Sequence, residues 1–461
     1  MSRSPKSLSR RHVLKGFGAS VAGFAVWPNG RRAYAGYGPN DALNFAGVGV
    51  GGKGNSDIDH ASNYGRIAAI CDIDEQRLGK KAEKFTDAAK YVDFRKLFSE
   101  MGDKIDAVVV SCPDHTHAPA SITAMNMGKH VYCQKPLTHS VWEARMMRQV
   151  AAQKGVCTQM GNQGTADPGL RRGAEVVQTG GIGDVQEVYV WTNRPFKYWK
   201  QSPDIVARPT EMPPVPAHVH WDLFVGPAPM RPYHPVYHPH DWRGWWDFGT
   251  GSLGDMACHT TNLVFKALKL ELPTRVSAKH AELNPETYPA WAVITYEFPA
   301  RGNLPPVKLH WYEGAKDGQR NLPPAELFPA NFKPSDSGSL LIGSKGQMYS
   351  PSDYGSQQVL WPVEQYKDYK DPAPFIPRIE GGKGTDDSHK KEWVDAIRAG
   401  KPEIAQSNFE YSSRLTESML LGNVAIRVDK AIDYDPATGK VTNVSEAAQF
   451  IQPEMREGWR I

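Results

Sequence analysis

The sequence predicts an α/β protein: a doubly wound parallel sheet in the first third, then an α+β domain with a large, mostly antiparallel sheet. Three observations carry this expectation. Between Leu43 and Cys133 short apolar runs alternate with helical stretches, as in a parallel sheet covered on both faces. A glycine cluster, Gly49-Val50-Gly51-Gly52-Lys53-Gly54, separates the first run from the first helix. Beyond about Gly161, strand-like runs follow one another with Pro/Gly-rich loops between some of them, the texture of an antiparallel sheet. The 461 residues are enough for two domains with sizeable cores, placed at 40–160 and 161–461, with residues 1–35 set apart.

Taken in order, the first strand is 43–48 and runs into the glycines; 66–71 is the second. The segment 106–111 (Asp-Ala-Val-Val-Val-Ser) is a third buried strand, and 130–133 a fourth. Helices are expected at 55–63, 75–85 and 118–127, the last stopped by Gly128. Strands are expected at 185–192, 274–281, 291–298 and 307–312, with late helices at 387–399 and 410–428.

The first 35 residues read as an address. Arg10 and Arg11 form a twin arginine, an uncharged stretch 16–28 follows, and Ala33-Tyr34-Ala35 offers a cleavage site. Twin-arginine export carries folded proteins, usually with cofactor already seated, so a periplasmic or extracytoplasmic location is expected. The apolar stretch is too short to span a bilayer, which counts against a retained anchor, and no other segment resembles a transmembrane helix. The five cysteines lack CxxC or metal spacing and read as buried free thiols. The net charge of +4, without a long basic run, argues against nucleic acid as a partner.

Chemistry concentrates at a few positions. Glycines at 49, 51, 52 and 54 let a backbone approach a pyrophosphate at a helix N-terminus. Asp72, closing the second strand, offers a carboxylate to two ribose hydroxyls and would repel a 2′-phosphate. NAD is therefore favoured, with NADP as the alternative. Cys133-Gln134-Lys135-Pro136 ends a strand at the ligand edge of the sheet, where desolvation lowers an amine's pKa toward proton-transfer range. Asp255 and His259, four apart on an expected helix, share one face, the acid orienting the imidazole. The competing reading is that 252–255 is a loose capping box. Within Tyr233–Trp246, the histidines 234, 238 and 240 and the tryptophans 242, 245 and 246 suit a sugar-binding wall or a packed structural loop. Their spacing also allows a metal, but nearby carboxylates and cysteines with ligand spacing are missing, and no metal is expected.

The combination resembles the glucose–fructose oxidoreductase / inositol dehydrogenase / MocA (Gfo/Idh/MocA) family, and within it the secreted twin-arginine branch. The likeness runs from about Leu43 onward: the glycine loop, then Pro113-Asp114-His115-Thr116-His117 where the family has Pro-Asn-x-x-His. It continues with Gly128–Pro136, similar to the Glu-Lys-Pro signature, and ends with Asp255 and His259 matching Asp-x-x-x-His. The resemblance implies an N-terminal Rossmann domain and a C-terminal α/β domain whose open sheet mediates dimers or tetramers. Lys135 and His259 become proton carriers, and Asp255 a partner of the substrate hydroxyl or of His259. Pro113, His117, Gln134 and Lys135 join the glycines and Asp72 at a tightly bound NAD. Gln134 departs from the family's Glu and brings no charge.

The expected reaction is hydride transfer between a carbinol of a sugar, glycoside or polyol and the nicotinamide, redox-neutral overall because exported enzymes lack a free NAD pool. The alternatives are a glycosidase working by transient oxidation, and a non-catalytic sugar- or nucleotide-binding protein. Substrate contacts are expected from Asn193, Arg194, Tyr198, Tyr237, His238 and Trp242.

Overall fold

The computed structural model of the chain describes residues 42–194 and 207–461. The address segment 1–35 and Tyr198 lie outside the described residues. The first strands are β1 (Leu43–Val48), β2 (Gly65–Cys71), β3 (Ala89–Tyr91), β4 (Ala107–Val110), β5 (His130–Cys133) and β6 (Thr158–Met160). They are linked through α1 (Gly52–Ala61), α2 (Glu75–Ala82), α3 (Phe94–Met101), α4 (Asp114–Asn126) and α5 (Val141–Lys154). All six strands are parallel, in the order β3-β2-β1-β4-β5-β6. Chain direction across the sheet reverses between β1 and β4, and there the strand ends open a crevice.

In this sheet the expected strand starts and ends fall within about one residue of the observed ones; in the second sheet the strand expected at 307–312 runs on to Lys316. The sequence reading passes over β3 and β6, whose three residues each are too short for a pattern. Two helices begin earlier than expected. α1 starts within the glycines, with Gly51 extended (φ −91°, ψ 174°) as its cap. α4 starts at Asp114 and runs through Pro119, a residue that normally ends helices. Its first turn is held from outside: His115 reaches the carbonyls of Phe224 (2.7 Å) and Phe248 (3.1 Å), and His117 those of Cys112 and Pro136 (both 2.8 Å).

The next elements are α6 (Pro168–Gln178), β7 (Val185–Trp191), α7 (Trp221–Val225), α8 (Gly251–Thr260) and α9 (Asn262–Ala267). Then come β8 (Arg275–His280), β9 (Trp291–Phe298), β10 (Val307–Lys316), β11 (Gln319–Arg320), β12 (Gly338–Gly343), β13 (Gln347–Ser350) and β14 (Val359–Trp361). The last are α10 (Val363–Tyr366), α11 (Thr385–Ala399), α12 (Phe409–Val428), β15 (Ile432–Asp435), β16 (Lys440–Val441) and α13 (Ala448–Ile451). The second sheet runs β14-β13-β12-β7-β10-β9-β8-β15-β16, with β11 attached to β10. Among the described residues, the β7–β10 pairing is the one parallel pairing in this sheet. In β9, Ala292, Ile294, Tyr296 and Phe298 face the core while their neighbours stay half-exposed.

Two late helices bind the halves together. α12 is almost wholly buried between the second sheet and α5: Tyr296 donates to the Met419 carbonyl (2.9 Å), and Arg145 pairs with Glu417 (2.6 Å). α11, in sequence a part of the second half, covers the first sheet. Trp393 lies 5.8 Å from Phe45 and 5.7 Å from Tyr132, and its indole donates to the Cys157 carbonyl (3.1 Å). All five cysteines are free, four of them buried and Cys112 half-buried. Among the described residues, no helix is long and apolar enough to cross a membrane.

Candidate active site

The ends of β1, β2, β4 and β5 open into a cavity of about 430 Å³ that residues from the second half close from above. Its floor is the glycine loop. Gly49 has φ +78°, and a Cβ there would sit 2.7 Å from the Cys112 nitrogen. At Gly54 a Cβ would come within 1.9 Å of the Gly49 carbonyl oxygen, so loop and helix meet backbone to backbone. No side chain caps α1, which leaves its first-turn N–H groups as an anion receptor beside the cavity. These features fit a dinucleotide's pyrophosphate.

Asp72 lines the cavity where the sequence places it. Its carboxylate also ties the loop down, accepting from Val50 N (2.9 Å), Gly51 N (3.0 Å) and Asp74 N (3.0 Å). Burial raises its pKa in spite of these bonds. Oδ2 takes the Val50 and Gly51 bonds and Oδ1 the Asp74 bond, so one lone pair, on Oδ1, is left for a ribose hydroxyl. Pro113 is in the wall. His117 is there too, but its ring nitrogens face the Cys112 and Pro136 carbonyls (2.8 Å each); the neutral ring donates to one of them and turns no nitrogen toward a ligand.

Gln134 turns inward. Its amide donates to Asp57 Oδ2 (2.7 Å) beneath the glycine loop. Asp57 is wholly buried, which by itself would raise its pKa; Lys390 (2.9 Å) and Lys53 (3.4 Å) outweigh this and hold it down to about 2. The Gln134 side chain is thus engaged by α1 as well as lining the cavity.

Lys135 and α8 meet at the far end. Lys135 Nζ donates to Asp255 Oδ1 (2.7 Å) and to the Asp255 carbonyl (2.9 Å), while Arg243 Nε reaches the same carboxylate oxygen at 3.4 Å. Burial opposes the charge on Asp255, yet Lys135 and Arg243 hold its carboxyl below the usual range. The expected Asp255–His259 pairing is therefore replaced: the acid serves the lysine. His259, one turn on, stands edge-on to Tyr354 (4.9 Å), with Nδ1 buried and without a hydrogen-bond partner. Burial, reinforced by the Lys135 cation, holds it well below the ordinary imidazole value, so the ring is neutral at neutral pH. The capping box does not form, because α8 has no side-chain cap and Ser252 donates to Glu313 instead. Thr250, at the helix entrance, donates to Asp114 (2.6 Å), a cavity-lining acid that burial raises to about 7.

The substrate candidates divide. Arg194, His238 and Trp242 are in the wall, and the Arg243 guanidinium lies 4.3 Å over the Trp242 ring. Asn193 is buried off the wall, its side chain accepting from Arg194. Tyr237 packs into an aromatic cluster with Trp221, Trp245 and Phe248. Among the described residues, no three His, Cys, Asp or Glu side chains converge as a metal site. Sequence reasoning passed over Arg243 and Asp114, although both lie in segments it singled out. Tyr354 and Trp459 arrive from far along the chain, with no local signal.

A family description, GFO_IDH_MocA, "Oxidoreductase family, NAD-binding Rossmann fold", matches residues 43–162, and the same family's "C-terminal alpha/beta domain" matches 171–303. Together these cover more than half of the chain. An inositol 2-dehydrogenase of Rubrobacter xylanophilus is 31% identical over 153 residues, 32% of this chain and 42% of that protein. A glycosyl hydrolase family 109 protein of Shewanella pealeana is 30% identical over 164 residues, 30% of this chain and 35% of its own length. The chain thus spans well under half the length of these curated relatives. The aldose-aldose oxidoreductase of Caulobacter crescentus, solved with glycerol, shares the fold at TM-score 0.56 and 15% identity over 85% of this chain and 100% of its own. So does the WlbA dehydrogenase of Bordetella pertussis, solved with NADH and UDP-GlcNAcA, at TM-score 0.58 and 15% identity over 86% and 99%.

Proposed function

Because the chain belongs to the Gfo/Idh/MocA oxidoreductase family, we propose that it moves hydride between a carbinol of a sugar, glycoside or polyol and a nicotinamide held in the crevice. One observation carries this reading: Lys135, Asp255 and His259 line the same cavity as the glycine loop, although α8 lies more than a hundred residues from the lysine. The inositol dehydrogenase relatives point to the substrate class.

The cofactor, when bound, supplies the hydride acceptor or donor carbon. The first-turn N–H groups of α1 hold its pyrophosphate and Asp72 its ribose. The substrate hydroxyl lies between Lys135 Nζ and the His259 ring. The neutral imidazole takes the hydroxyl proton, and the lysine ammonium, steadied by Asp255, stabilises the developing alkoxide. Arg194 and Trp242 face the sugar, while His238, beside Asp74, belongs to the other end of the crevice.

We assign residues 1–35 to twin-arginine export on the sequence of that segment, and with it a periplasmic site of action. A cofactor retained between turnovers and a redox-neutral net reaction follow from that location. Residues 40–160 then act as the cofactor domain and 161–461 as the substrate and assembly domain. The half-exposed outer face of β9 and β10, with Trp291, Val293, His310 and Tyr312, is the surface we assign to a dimer or tetramer. A second reading, hydrolysis of a glycoside by transient oxidation, is favoured by the glycosyl hydrolase relative.

The test follows nicotinamide absorbance and aglycone release together, with holoenzyme, free sugars, polyols and aryl glycosides. Cofactor reduction that stops after one turnover and resumes with a keto acceptor supports the oxidoreductase. Aglycone release without an acceptor supports the glycosidase instead. In Lys135→Ala, turnover is expected to fall by about 10²–10⁴ with the nucleotide still bound; full activity in that variant rules out the assigned role.

A further inference from the structure

The crevice continues past Asp72 toward β3, and there it is walled by residues from outside the first sheet. By strand order this end takes the adenosine half of a dinucleotide, since the pyrophosphate lies at α1 and Lys135 marks the opposite end. The wall contains Phe224 and His238 from the segment after the undescribed residues, and Trp459 from the segment after α13. Trp459 is outside both family-matched ranges.

This wall is fastened to the cofactor domain at two points, and a third contact clasps its two segments to each other. Residues 218–220 add to the loop after β2: Asp74 and Val219 form a bridge, Glu75 N donates to the His218 carbonyl (2.8 Å), and His220 N to the Ile73 carbonyl (3.0 Å). On α4, the neutral His115 ring lies between the Phe224 (2.7 Å) and Phe248 (3.1 Å) carbonyls and donates to one of them. The third contact is Arg456. Its guanidinium donates to the Gly226 carbonyl (2.9 Å) and pairs with Asp222 (2.6 Å), and its own N–H reaches the Pro227 carbonyl (2.9 Å). Three residues on, Trp459 drops against α3, 6.0 Å from Phe94 and 4.2 Å from the Arg95 guanidinium, and is only 6% exposed. Ile73, directly after Asp72, packs on the aromatic cluster of the same segment.

We propose that residues 218–238 and Trp459 form a collar around the adenosine half of the cofactor, with Trp459 and Phe224 as its apolar wall and Arg456 as its clasp, and that this collar retains the dinucleotide between turnovers. The inference rests on the reading of the crevice as an NAD site and adds the residues that set how slowly NAD leaves.

Burying a base against aromatic side chains contributes on the order of 1–3 kcal/mol, so removing one wall is expected to change affinity about tenfold or more. NADH release is followed by fluorescence, and binding of NAD+ and ADP-ribose by calorimetry, on wild type, Trp459→Ala and Arg456→Ala. The collar predicts release at least about ten times faster in Trp459→Ala, and an equal loss of affinity for NAD+ and ADP-ribose, because both carry the adenosine half. Arg456→Ala, which leaves the wall residues in place, is expected to release faster as well. If wild type binds neither ligand, the NAD reading itself fails. If wild type binds and both variants release at its rate, or if NAD+ affinity falls much further than that for ADP-ribose, the collar is overturned. Should Trp459→Ala fail to fold, the Arg456→Ala release rate decides alone.

Discussion

At the scale of single residues, the amide at position 134 shows how one neighbour fixes a choice. Gln134 stands where the family signature has glutamate, and its amide donates to the buried Asp57 carboxylate 2.7 Å away. In Gln134→Glu two carboxylates would meet in a buried site, which raises the pKa of one of them. Stability is then expected to fall by about 1–3 kcal/mol at pH 8 and to recover toward pH 5, as the raised group takes its proton. Asp57→Asn in the same chain is expected to remove most of the pH dependence. Denaturant melts at the two pH values check this, and equal losses at both would refute it. Lys135, Asp255 and His259 were legible in the sequence because each sits in a short local motif. Their partnership was not. Helical spacing shows which residues share a face but not that a lysine 120 positions away takes the acid first.

At the scale of elements, the strands legible in sequence were those with apolar or alternating runs; β3 and β6 were too short to show, and β12, β13 and β15 were passed over because their apolar runs are short. Nothing local indicates that α4 passes through Pro119, because the carbonyls that pin its first turn belong to distant segments. The same holds for α11. Its amphipathic pattern announces a helix but not the sheet it covers. Trp393 is fully buried against Phe45 and Tyr132. Trp393→Ala is expected to cost about 3–5 kcal/mol, and to lower NAD affinity as well, because α11 also supplies Lys390 to Asp57 beneath the loop. A urea melt and a binding titration check both parts.

At the scale of the molecule, two sets of buried groups set the pH range of stability. Burial lowers the imidazoles of His115, His117, His130, His139 and His238 to about 4, and those of His259 and His389 well below their ordinary value. Such groups bind protons only on unfolding, so their stabilisation is complete above pH 6.5 and lost as pH falls toward 4. Each contributes a slope of up to about 1.4 kcal/mol per pH unit. Burial raises Asp114, Glu143 and Glu313 to about 7, which acts in the opposite sense: stability falls as pH rises from about 4 to 7. Seven imidazoles outweigh three carboxyls. The thermal midpoint is expected to drop steeply from pH 6.5 to 5; a flat midpoint over that interval removes the argument. The proposed twin-arginine export predicts that Arg10→Lys with Arg11→Lys leaves the protein in the cytoplasmic fraction, as an immunoblot of fractionated cells would show.

The placement of α11 also constrains how the protein is made. A nascent chain leaving the ribosome carries Phe45 and Tyr132 long before residue 385 is translated, so the first sheet waits for its cover through most of synthesis. Until then an apolar face is open to water and to other nascent chains. The dinucleotide-binding part is consequently no independent folding unit: expressed alone as residues 42–170, it should be insoluble or require a chaperone, and co-expression of the remainder should rescue it.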